Sequence, residues 1–275
     1  MILRCGRRQL DLTTPQVMGI LNVTPDSFYD GGRYTSLDSA LDRAEIMVKE
    51  GAAIIDVGGE STRPGATPLS LQEEIDRVIP IVAALCKNFS VVISVDTRTP
   101  QVMQEAIRAG ASFINDVNAL QAEGTLAIVA EQQVAVCLMH MQGEPVSMQQ
   151  SPYYEDVVHE VKDFLAARVR TCLAAGVAPD CIVVDPGFGF GKSLTHNLQM
   201  LNQLEQFRSL ELPLLVGFSR KSMVGSVLGL PTEQRLYGSL ALAVLAVTKG
   251  AALIRTHDVR PTIEAIKMTM GVITI

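Results

Sequence analysis

Eight short apolar segments, rich in β-branched residues, alternate along the chain with segments of helical character. The apolar segments span residues 17–21, 53–57, 91–95, 111–114, 134–139, 181–184, 214–217 and 251–254. Continuous apolar strands without polar alternation are typical of parallel sheets that are buried on both faces. Eight strand–helix units therefore predict an α/β fold, a (β/α)8 TIM barrel that takes up residues 1–275 as one domain. In such a barrel the functional residues lie at the carboxyl ends of the strands.

The segments between the strands carry helix start and stop signals. Predicted helices span residues 37–49, 71–87, 100–109, 124–131, 154–174, 195–210, 221–228, 235–248 and 261–270. Ser70 and Glu73 have capping-box spacing, and Pro100 occupies a first helical position. Two connections, 22–36 and 58–69, are longer than a barrel needs, and both follow strands at the catalytic face. Long loops there predict a functional role.

Composition excludes several classes of function. A net charge of −6 argues against nucleic acid as the main ligand, because backbone binding needs a basic face. The longest apolar stretch, 236–247, falls well short of the roughly 20 residues of a membrane span. Residues 1–11 lack the apolar core of a signal peptide, and the five cysteines form no C-x-x-C pair. We therefore expect a cytoplasmic protein with reduced, buried cysteines and no membrane partner.

A candidate anion site follows the last strand. Arg255 and His257 leave that strand together, and a predicted helix begins just beyond them. Loops after the seventh and eighth strands are the usual phosphate site of this fold, and a helix N-terminus favours anions. Asn22 ends the first strand, where its amide oxygen would suit Mg²⁺ held largely by a diphosphate and water. These residues predict a diphosphate site with Mg²⁺.

A second group of polar residues predicts a site for a flat heterocycle. Asp96, Asn115 and Asp185 end the third, fourth and sixth strands, and Lys221 follows the seventh. Two carboxylates, an amide and a lysine could read a nitrogen-rich ring with several N–H donors and a carbonyl. Asp56 and Asp116 are ambiguous, because alternation along the strand could turn them into the barrel wall. For Asp56, a structural role and a ligand contact stay equally open.

The glycine-rich segment 185–192 resembles a nucleotide-binding loop without matching one. Its spacing is one residue short of G-x-x-x-x-G-K-S, and G-x-G-x-x-G is absent. We interpret the glycines as allowing the backbone to approach a flat ligand while Phe190 packs against its face. No Ser/His/Asp order or activated cysteine is evident, so covalent catalysis by the protein is not expected.

Taken together, the motifs resemble those of the bacterial dihydropteroate synthases over almost the whole chain. The resemblance rests on segments 18–28, 58–65, 114–116, 185–192, 219–222 and 255–258. It implies a homodimeric, Mg²⁺-dependent transferase of folate biosynthesis. The implied reaction condenses (7,8-dihydropterin-6-yl)methyl diphosphate with 4-aminobenzoate, in a pocket for which sulfonamides compete.

The same resemblance assigns roles to individual residues. It implies that Asp96, Asn115, Asp185 and Lys221 hold the pterin, and that Asn22, Arg255 and His257 hold the diphosphate and Mg²⁺. The implied aminobenzoate pocket consists of Phe28, Thr62, Arg63, Pro64, Phe190 and Ser222, and Asp30 approaches the reacting carbon. Asp30, Asp96, Lys221 and Arg255 are the implied catalytic residues.

The chemistry of these residues favours dissociative substitution. Cleavage of the carbon–oxygen bond leaves a pterin-methyl cation, stabilised by Asp30 and Asp96, and a diphosphate, stabilised by Mg²⁺ and Arg255. Two alternatives remain: a methyltetrahydrofolate-binding methyltransferase barrel, and a paralogue that binds pterin without turnover. The first needs neither the loop at 62–64 nor a diphosphate site.

Overall fold

The computed structural model describes residues 1–23, 36–59, 69–144 and 147–274. The strands in these ranges are β1 (Ile2–Cys5), β2 (Arg8–Asp11), β3 (Gln16–Asn22), β4 (Ile54–Gly58), β5 (Val92–Asp96), β6 (Phe113–Asp116), β7 (Ala135–Met139), β8 (Ile182–Asp185), β9 (Leu215–Val216) and β10 (Leu253–Thr256). The helices are α1 (Ser36–Glu50), α2 (Leu71–Asn88), α3 (Pro100–Arg108), α4 (Thr125–Gln132), α5 (Val157–Ala174), α6 (Leu194–Asn202), α7 (Ser222–Leu228), α8 (Leu236–Thr248) and α9 (Val259–Ile273). Short 3₁₀ segments cover Pro179–Cys181, Leu204–Leu210 and Thr232–Gln234.

Strands β3 to β10 form one parallel sheet that closes on itself. The order is β8-β7-β6-β5-β4-β3-β10-β9, so each strand lies beside its neighbour in sequence. A parallel bridge between Val184 and Leu214 joins the two ends and completes the cylinder. The predicted barrel is therefore confirmed, and the predicted strands agree with β3–β10 to within two residues.

Side chains alternate between the inside of the barrel and the layer of helices outside it. Along β4, Ile55 and Val57 pack in the large cluster that includes helix residues, whereas Ile54 belongs to the separate interior cluster. The other interior members of that cluster come from the remaining strands of the barrel: Met18, Val92, Phe113, Ala135, Cys137, Val183, Leu215 and Leu253. Both faces are apolar because both are buried, as the uninterrupted strands predicted.

An N-terminal hairpin, which the sequence analysis did not predict, closes the amino end of the barrel. Strands β1 and β2 pair antiparallel, with Ile2 opposite Asp11. Leu3 and Cys5 are fully buried, and with Leu12 they join the interior cluster at the first residues of the barrel strands. The hairpin strands are only four residues long, too short for a clear pattern. The opposite, carboxyl end of the barrel is thus left as the position for the site.

The helices confirm most of the predicted bounds. The capping box of Ser70 and Glu73 is present at α2, and Pro100 begins α3 as expected. The predicted helix 195–210 is wrong in its second half, because α6 ends at Asn202 and a 3₁₀ segment follows. Leu204, Phe207 and Leu210 recur every three residues and are packed into the core. A helix with three residues per turn places them on one face.

No helix within the described ranges is long and apolar enough to cross a membrane.

Candidate functional site

Three strands bring polar residues to one level at the carboxyl rim of the barrel, and Gly58 of β4 lies between them. Asn22 pairs in register with Gly58, Gly58 with Asp96, and Asp96 with Asn115. Asp185, the last residue of β8, follows the interior residue Val183 by two positions and therefore points inward as well. The predicted convergence of these residues on one mouth is present in the structure.

Arg255 lies at the centre of a buried network of charges. Its Nε donates to Oδ2 of Asp56 and its Nη2 to Oδ2 of Asp96, both at 2.7 Å. Asp56 is fully buried. Burial lowers the pKa of Arg255, but the carboxylates of Asp56 and Asp96 outweigh it and raise the pKa overall. Arg255 is thus a permanent cation that neutralises much of the charge of two carboxylates.

The carboxyl group of Asp96 has a pKa close to neutrality. Burial raises the pKa of Asp96 to about 7, the Arg255 guanidinium opposes that rise, and the negative charge of Asp56 adds to it. Burial also raises the pKa of Asp185, with Lys221 opposing. Both carboxyl groups sit where a cationic or N–H-rich ligand would favour their ionised forms.

Three oxygen acceptors in the mouth have no donor among the described residues. Asp96 uses only Oδ2 for Arg255, Asp185 uses only Oδ1 for the Gly187 amide at 2.7 Å, and Asn115 donates only its Nδ2, to Asp56. The remaining oxygens are Oδ1 of Asp96, Oδ2 of Asp185 and Oδ1 of Asn115. Among the described residues only Ser112 Oγ is a fully buried side-chain polar atom without a partner, so these three acceptors are open to the mouth, where they suit a ligand that supplies N–H donors.

Lys221 completes the mouth from the loop after β9. Its Nζ donates to the Phe188 carbonyl and lies 4.8 Å from the centroid of the Phe190 ring. Burial lowers the pKa of Lys221 to about 8, and Asp185 partly opposes that shift. Phe190 and Lys221 are thus in contact beside the mouth, and the packing of Phe190 against a flat ligand stays a prediction.

The glycine-rich loop after β8 is held by a buried lysine. Lys192 is 2% exposed, and its Nζ donates to the carbonyls of Gly187 (2.9 Å) and Phe190 (3.0 Å) and contacts His140 Nδ1 at 2.9 Å. Burial lowers the pKa of Lys192 well below its usual value and lowers that of His140 to about 2, so the His140 nitrogen accepts. This lysine organises the loop from inside.

Two of the three glycines in that loop are required by the backbone of the preceding loop. A Cβ on Gly187 would lie 1.9 Å from the His140 carbonyl oxygen, and one on Gly191 would lie 2.2 Å from the Gln142 carbonyl oxygen. These close approaches are to the preceding loop rather than to a ligand. The neighbouring backbone thus accounts for Gly187 and Gly191, whereas a Cβ on Gly189 would lie 3.4 Å from Lys221 Cδ in the mouth. The approach of this loop to a flat ligand stays a prediction.

The loops after β9 and β10 are fastened to each other. His257 Nδ1 contacts Ser219 Oγ at 2.9 Å, and Arg220 Nη2 contacts Asp258 Oδ1 at 2.6 Å. Helix α9 begins at Val259, directly after this pair of contacts. The chain that carries Arg255 and His257 is thus held against the loop after β9 where the anion site is predicted.

Asn22 offers a hard oxygen ligand at the same rim. Gly58 lies between Asn22 and Asp96: a Cβ added to Gly58 would be 3.8 Å from Asn22 Oδ1 and 3.9 Å from Asp96 Oδ2. The side chain of Asn22 makes no hydrogen bond with a described residue. No cluster of three or more His, Cys, Asp or Glu suited to a metal occurs among the described residues. A single amide oxygen fits Mg²⁺ that takes its other ligands from a diphosphate and water.

The structure separates the two ambiguous aspartates. Asp116 faces away from the barrel interior and caps the amides of Asn118 and Leu120, both at 2.7 Å. It supports the turn after β6. Asp56 faces inward, beneath Asn115 and Arg255, where it also accepts from Ser94 Oγ at 2.6 Å. Sequence reasoning missed Ser94 because a serine inside an apolar strand carries no distinct signal.

The remaining predicted site residues belong to the proposed aminobenzoate pocket and the loop after β3. Ser222 is the first residue of α7 and is exposed beside Lys221. Five predicted site residues lie outside the described residues, namely Phe28, Asp30, Thr62, Arg63 and Pro64.

Comparison with known proteins adds an independent finding. A family profile described as "Pterin binding enzyme" matches residues 18–257. The chain is 52% identical to the dihydropteroate synthase of Escherichia coli (strain K12), over 94% of this chain and 92% of that protein.

Solved structures agree with the sequence match. The Yersinia pestis dihydropteroate synthase in complex with a sulfonamide drug has a TM-score of 0.95 at 51% identity, covering 100% of both chains. The Xanthomonas albilineans dihydropteroate synthase with 4-aminobenzoic acid has a TM-score of 0.94 at 45% identity, covering 100% of this chain and 98% of that one.

Proposed function

The chain belongs to the dihydropteroate synthase family of pterin-binding enzymes, and from this premise we propose how its site works. It is a transferase of folate biosynthesis that acts on small molecules. The proposed reaction condenses (7,8-dihydropterin-6-yl)methyl diphosphate with 4-aminobenzoate to give 7,8-dihydropteroate and diphosphate. The observation that carries the proposal is the set of three unpaired acceptors at the rim: Asp96 Oδ1, Asn115 Oδ1 and Asp185 Oδ2.

These acceptors are suited to the aminopyrimidinone edge of a pterin. That edge carries an exocyclic amino group and ring N–H groups, all of which donate. A site built to accept from them rejects rings that lack the donors, because such a ring would cover these oxygens and leave them unpaired. Lys221 supplies a donor for the ring carbonyl, and Phe190 supplies a flat apolar surface.

Arg255 and His257 are the proposed diphosphate residues. In the structure Arg255 uses Nε and Nη2 for Asp56 and Asp96, and its Nη1 has no partner among the described residues. Nη1 is thus left for a diphosphate oxygen. Asn22 would hold Mg²⁺, which neutralises diphosphate charge when bound.

The carboxylates of the mouth favour loss of the diphosphate before attack. Ionised Asp96, and Asp30 on the loop after β3, would stabilise positive charge on the pterin methylene as the carbon–oxygen bond breaks. Arg255 stabilises the charge that develops on the departing diphosphate. The amine of 4-aminobenzoate then forms the new carbon–nitrogen bond and loses a proton. It is already nucleophilic, so no strong base is required.

The aminobenzoate pocket is proposed from Phe28, Thr62, Arg63, Pro64, Phe190 and Ser222. Of these, Phe190 and Ser222 flank Lys221 in the structure. We propose that sulfonamides, which mimic 4-aminobenzoate in charge and shape, compete there.

A second copy of the chain is the proposed partner. Large apolar side chains are exposed on three consecutive outer helices, α7, α8 and α9. They include Val227 (58%), Tyr237 (81%), Leu245 (48%), Met268 (70%) and Val272 (59%). A homodimer through these helices would bury that apolar surface and leave the barrel mouth open.

An assay of the purified protein with both substrates and Mg²⁺ tests the function. Formation of dihydropteroate and diphosphate in equal amounts supports it, whereas binding of pterin without product would point to a non-catalytic paralogue. Methyl transfer from methyltetrahydrofolate would favour the alternative methyltransferase.

The order of bond breaking has its own test. The substrate carries ¹⁸O in the bridging oxygen that joins the methylene carbon to phosphorus, and no aminobenzoate is present. Reversible dissociative cleavage then moves the label into the other oxygens of that phosphate group. Label that stays in the bridge while condensation proceeds normally would favour direct displacement.

A further inference from the structure

Asp56 is a buried carboxylate for which the proposed reaction has no direct use. It lies in β4, is fully buried, and has partners on three other strands. Its Oδ1 accepts from Ser94 Oγ at 2.6 Å, and its Oδ2 accepts from Asn115 Nδ2 at 3.0 Å and Arg255 Nε at 2.7 Å. Two of these partners belong to the ligand site above it. Asp56 therefore determines the orientation of side chains that face the ligand.

The consequence is clearest for Asn115. An amide group can rotate by half a turn, which exchanges its oxygen and its nitrogen, and the two orientations have nearly the same shape. An ionised carboxylate only accepts, so Asp56 holds the Asn115 nitrogen and repels its oxygen. Oδ1 of Asn115 is thus fixed as an acceptor, and no described residue donates to it. Without Asp56 the amide could present its NH₂ group in the same place.

The consequence for Arg255 is similar. The contact with Asp56 holds Nε, and the planar guanidinium then directs Nη2 to Asp96. Nη2 takes Oδ2 of Asp96 and leaves Oδ1 as the second acceptor. One carboxylate in the barrel interior thereby orients the acceptors on both β5 and β6.

We propose that Asp56 is a positioning residue that sets the hydrogen-bond polarity of the pterin site and so selects a donor-bearing ring edge. The inference rests on the proposed function and adds its specificity determinant. A 2-amino-4-oxopteridine offers donors where the site accepts. A 2,4-dioxopteridine has a carbonyl in place of the amino group, so an acceptor would face an acceptor.

The test compares two ligands that differ at this one group. Calorimetry gives the Kd of 6-hydroxymethylpterin and of its 2,4-dioxo counterpart, 6-hydroxymethyllumazine, for the full chain and its variants. Asp56→Asn keeps the shape but provides an amide that can donate to Asn115 Oδ1, so the Asn115 amide is no longer held in one orientation. We expect the Kd of the lumazine divided by the Kd of the pterin to fall at least about tenfold. A loss of folded protein alone would lower the occupancy of both ligands equally and leave the ratio unchanged.

A second variant and a control complete the design. Ser94→Ala removes the hydrogen bond from Ser94 Oγ to Asp56 without removing a charge. We expect the same Kd ratio to fall by a smaller factor. If Asp56→Asn does not fold, the Kd ratio of Ser94→Ala tests the inference in its place. Asp116→Asn is the matched control, because Asp116 is equally buried but caps a turn outside the barrel interior. Its ratio should equal that of the wild type.

The outcomes separate the two proposals. If the wild-type chain forms no dihydropteroate in the assay with both substrates, the proposed function fails and the inference with it. If it forms dihydropteroate but does not prefer the pterin to the lumazine, the inference alone fails. If the wild type prefers the pterin and the folded variants of Asp56 and Ser94 keep the same ratio, the inference about Asp56 is overturned while the function stands.

Discussion

At the scale of single residues, the site depends on how charge is shared in the barrel mouth. Arg255 lies within 2.7 Å of two carboxylates, and Asp56 is fully buried. A buried ion pair contributes modestly when intact but is costly to break, because the remaining charge stays in a low-dielectric interior. Arg255 therefore supports the fold of the mouth as well as the proposed diphosphate site.

Loss of the Arg255 guanidinium should lower stability through the carboxylates that remain. For Arg255→Met we expect the free energy of unfolding, measured by urea denaturation, to fall by about 3–5 kcal/mol. Adding Asp56→Asn should recover part of that loss, since one uncompensated charge is removed. Arg220→Met is the control, because its exposed pair with Asp258 contributes at most about 1 kcal/mol. If the single and the double variant lost the same free energy of unfolding, charge sharing between Arg255 and Asp56 would be contradicted.

Lys221 should give the reaction a basic limit. Since burial lowers the pKa of Lys221 to about 8, the ammonium is present at neutral pH and disappears as pH rises through that value. We expect kcat/KM for the pterin substrate to fall above pH 8 by up to about tenfold per unit. Lys221→Arg, which stays charged, should have lower kcat/KM but no such decline. A wild-type profile that stays flat to pH 10 would contradict the assignment.

The same shift affects folding with the opposite sign. Between about pH 8 and the ordinary value of 10.5, the unfolded chain keeps the Lys221 proton and the folded chain loses it. The contribution of Lys221 to stability therefore rises with pH across this window and is flat below it.

At the scale of elements, the eight strands position the site and the unpredicted hairpin closes the opposite end. Strands β3 to β6 place Asn22, Gly58, Asp96 and Asn115 in register at the rim. At the amino end, Leu3 and Cys5 cover interior residues that would otherwise meet water. Stability and function thus lie at opposite ends of one cylinder, as is typical of this fold.

The hairpin should therefore matter for stability and not for chemistry. For Leu3→Ala we expect unfolding free energy to fall by about 2–5 kcal/mol, because a fully buried side chain leaves a cavity. Ile2→Ala, at a neighbouring residue that is 48% exposed, is the matched control and should change it by less than about 1 kcal/mol. Below the melting temperature, kcat should be the same in both. A fall in kcat for folded Leu3→Ala would show that the hairpin also influences the mouth.

Across the molecule as a whole, the outer helices pack partly against each other and leave part of their apolar surface exposed to solvent. Helices α8 and α9 pack against each other, and each still exposes large apolar side chains to solvent. Such a surface is typical of a protein–protein interface. The mouth lies at the end of the barrel, so an interface on its side would not block substrates.

Charges on this surface should dissociate the proposed homodimer. We expect wild-type chain to sediment at twice the chain mass, and Leu245→Glu combined with Met268→Glu to shift it to the monomer with the site intact. Leu173→Glu, on α5 at a side chain of 42% exposure, should leave the dimer unchanged. A wild-type chain that sediments as a monomer at micromolar concentration would contradict the proposal.

The barrel and the residues at its rim can be predicted from the amino-acid sequence alone. Eight apolar segments and the polar residue after each one specify which side chains reach the carboxyl end, because a parallel strand buried on both faces is mostly apolar along its length and becomes polar where it ends. Asn22, Asp96, Asp185 and Arg255 follow from that rule alone. So does the (β/α)8 architecture, to within two residues for each strand.

The direction in which residues inside the strands face, and what they contact, follow from the folded barrel and not from the sequence pattern. Asp56 and Asp116 look alike in the sequence, because uninterrupted apolar strands give no alternation from which the inward face can be inferred. Closure of the barrel turns Asp56 towards Arg255 and Asn115 and turns Asp116 towards the backbone of its own turn. The lysine that holds the glycine-rich loop, Lys192, was equally hidden, since its partners are carbonyl groups that every residue possesses. Contacts between strands distant in sequence depend on packing, and packing exists only once the cylinder has closed.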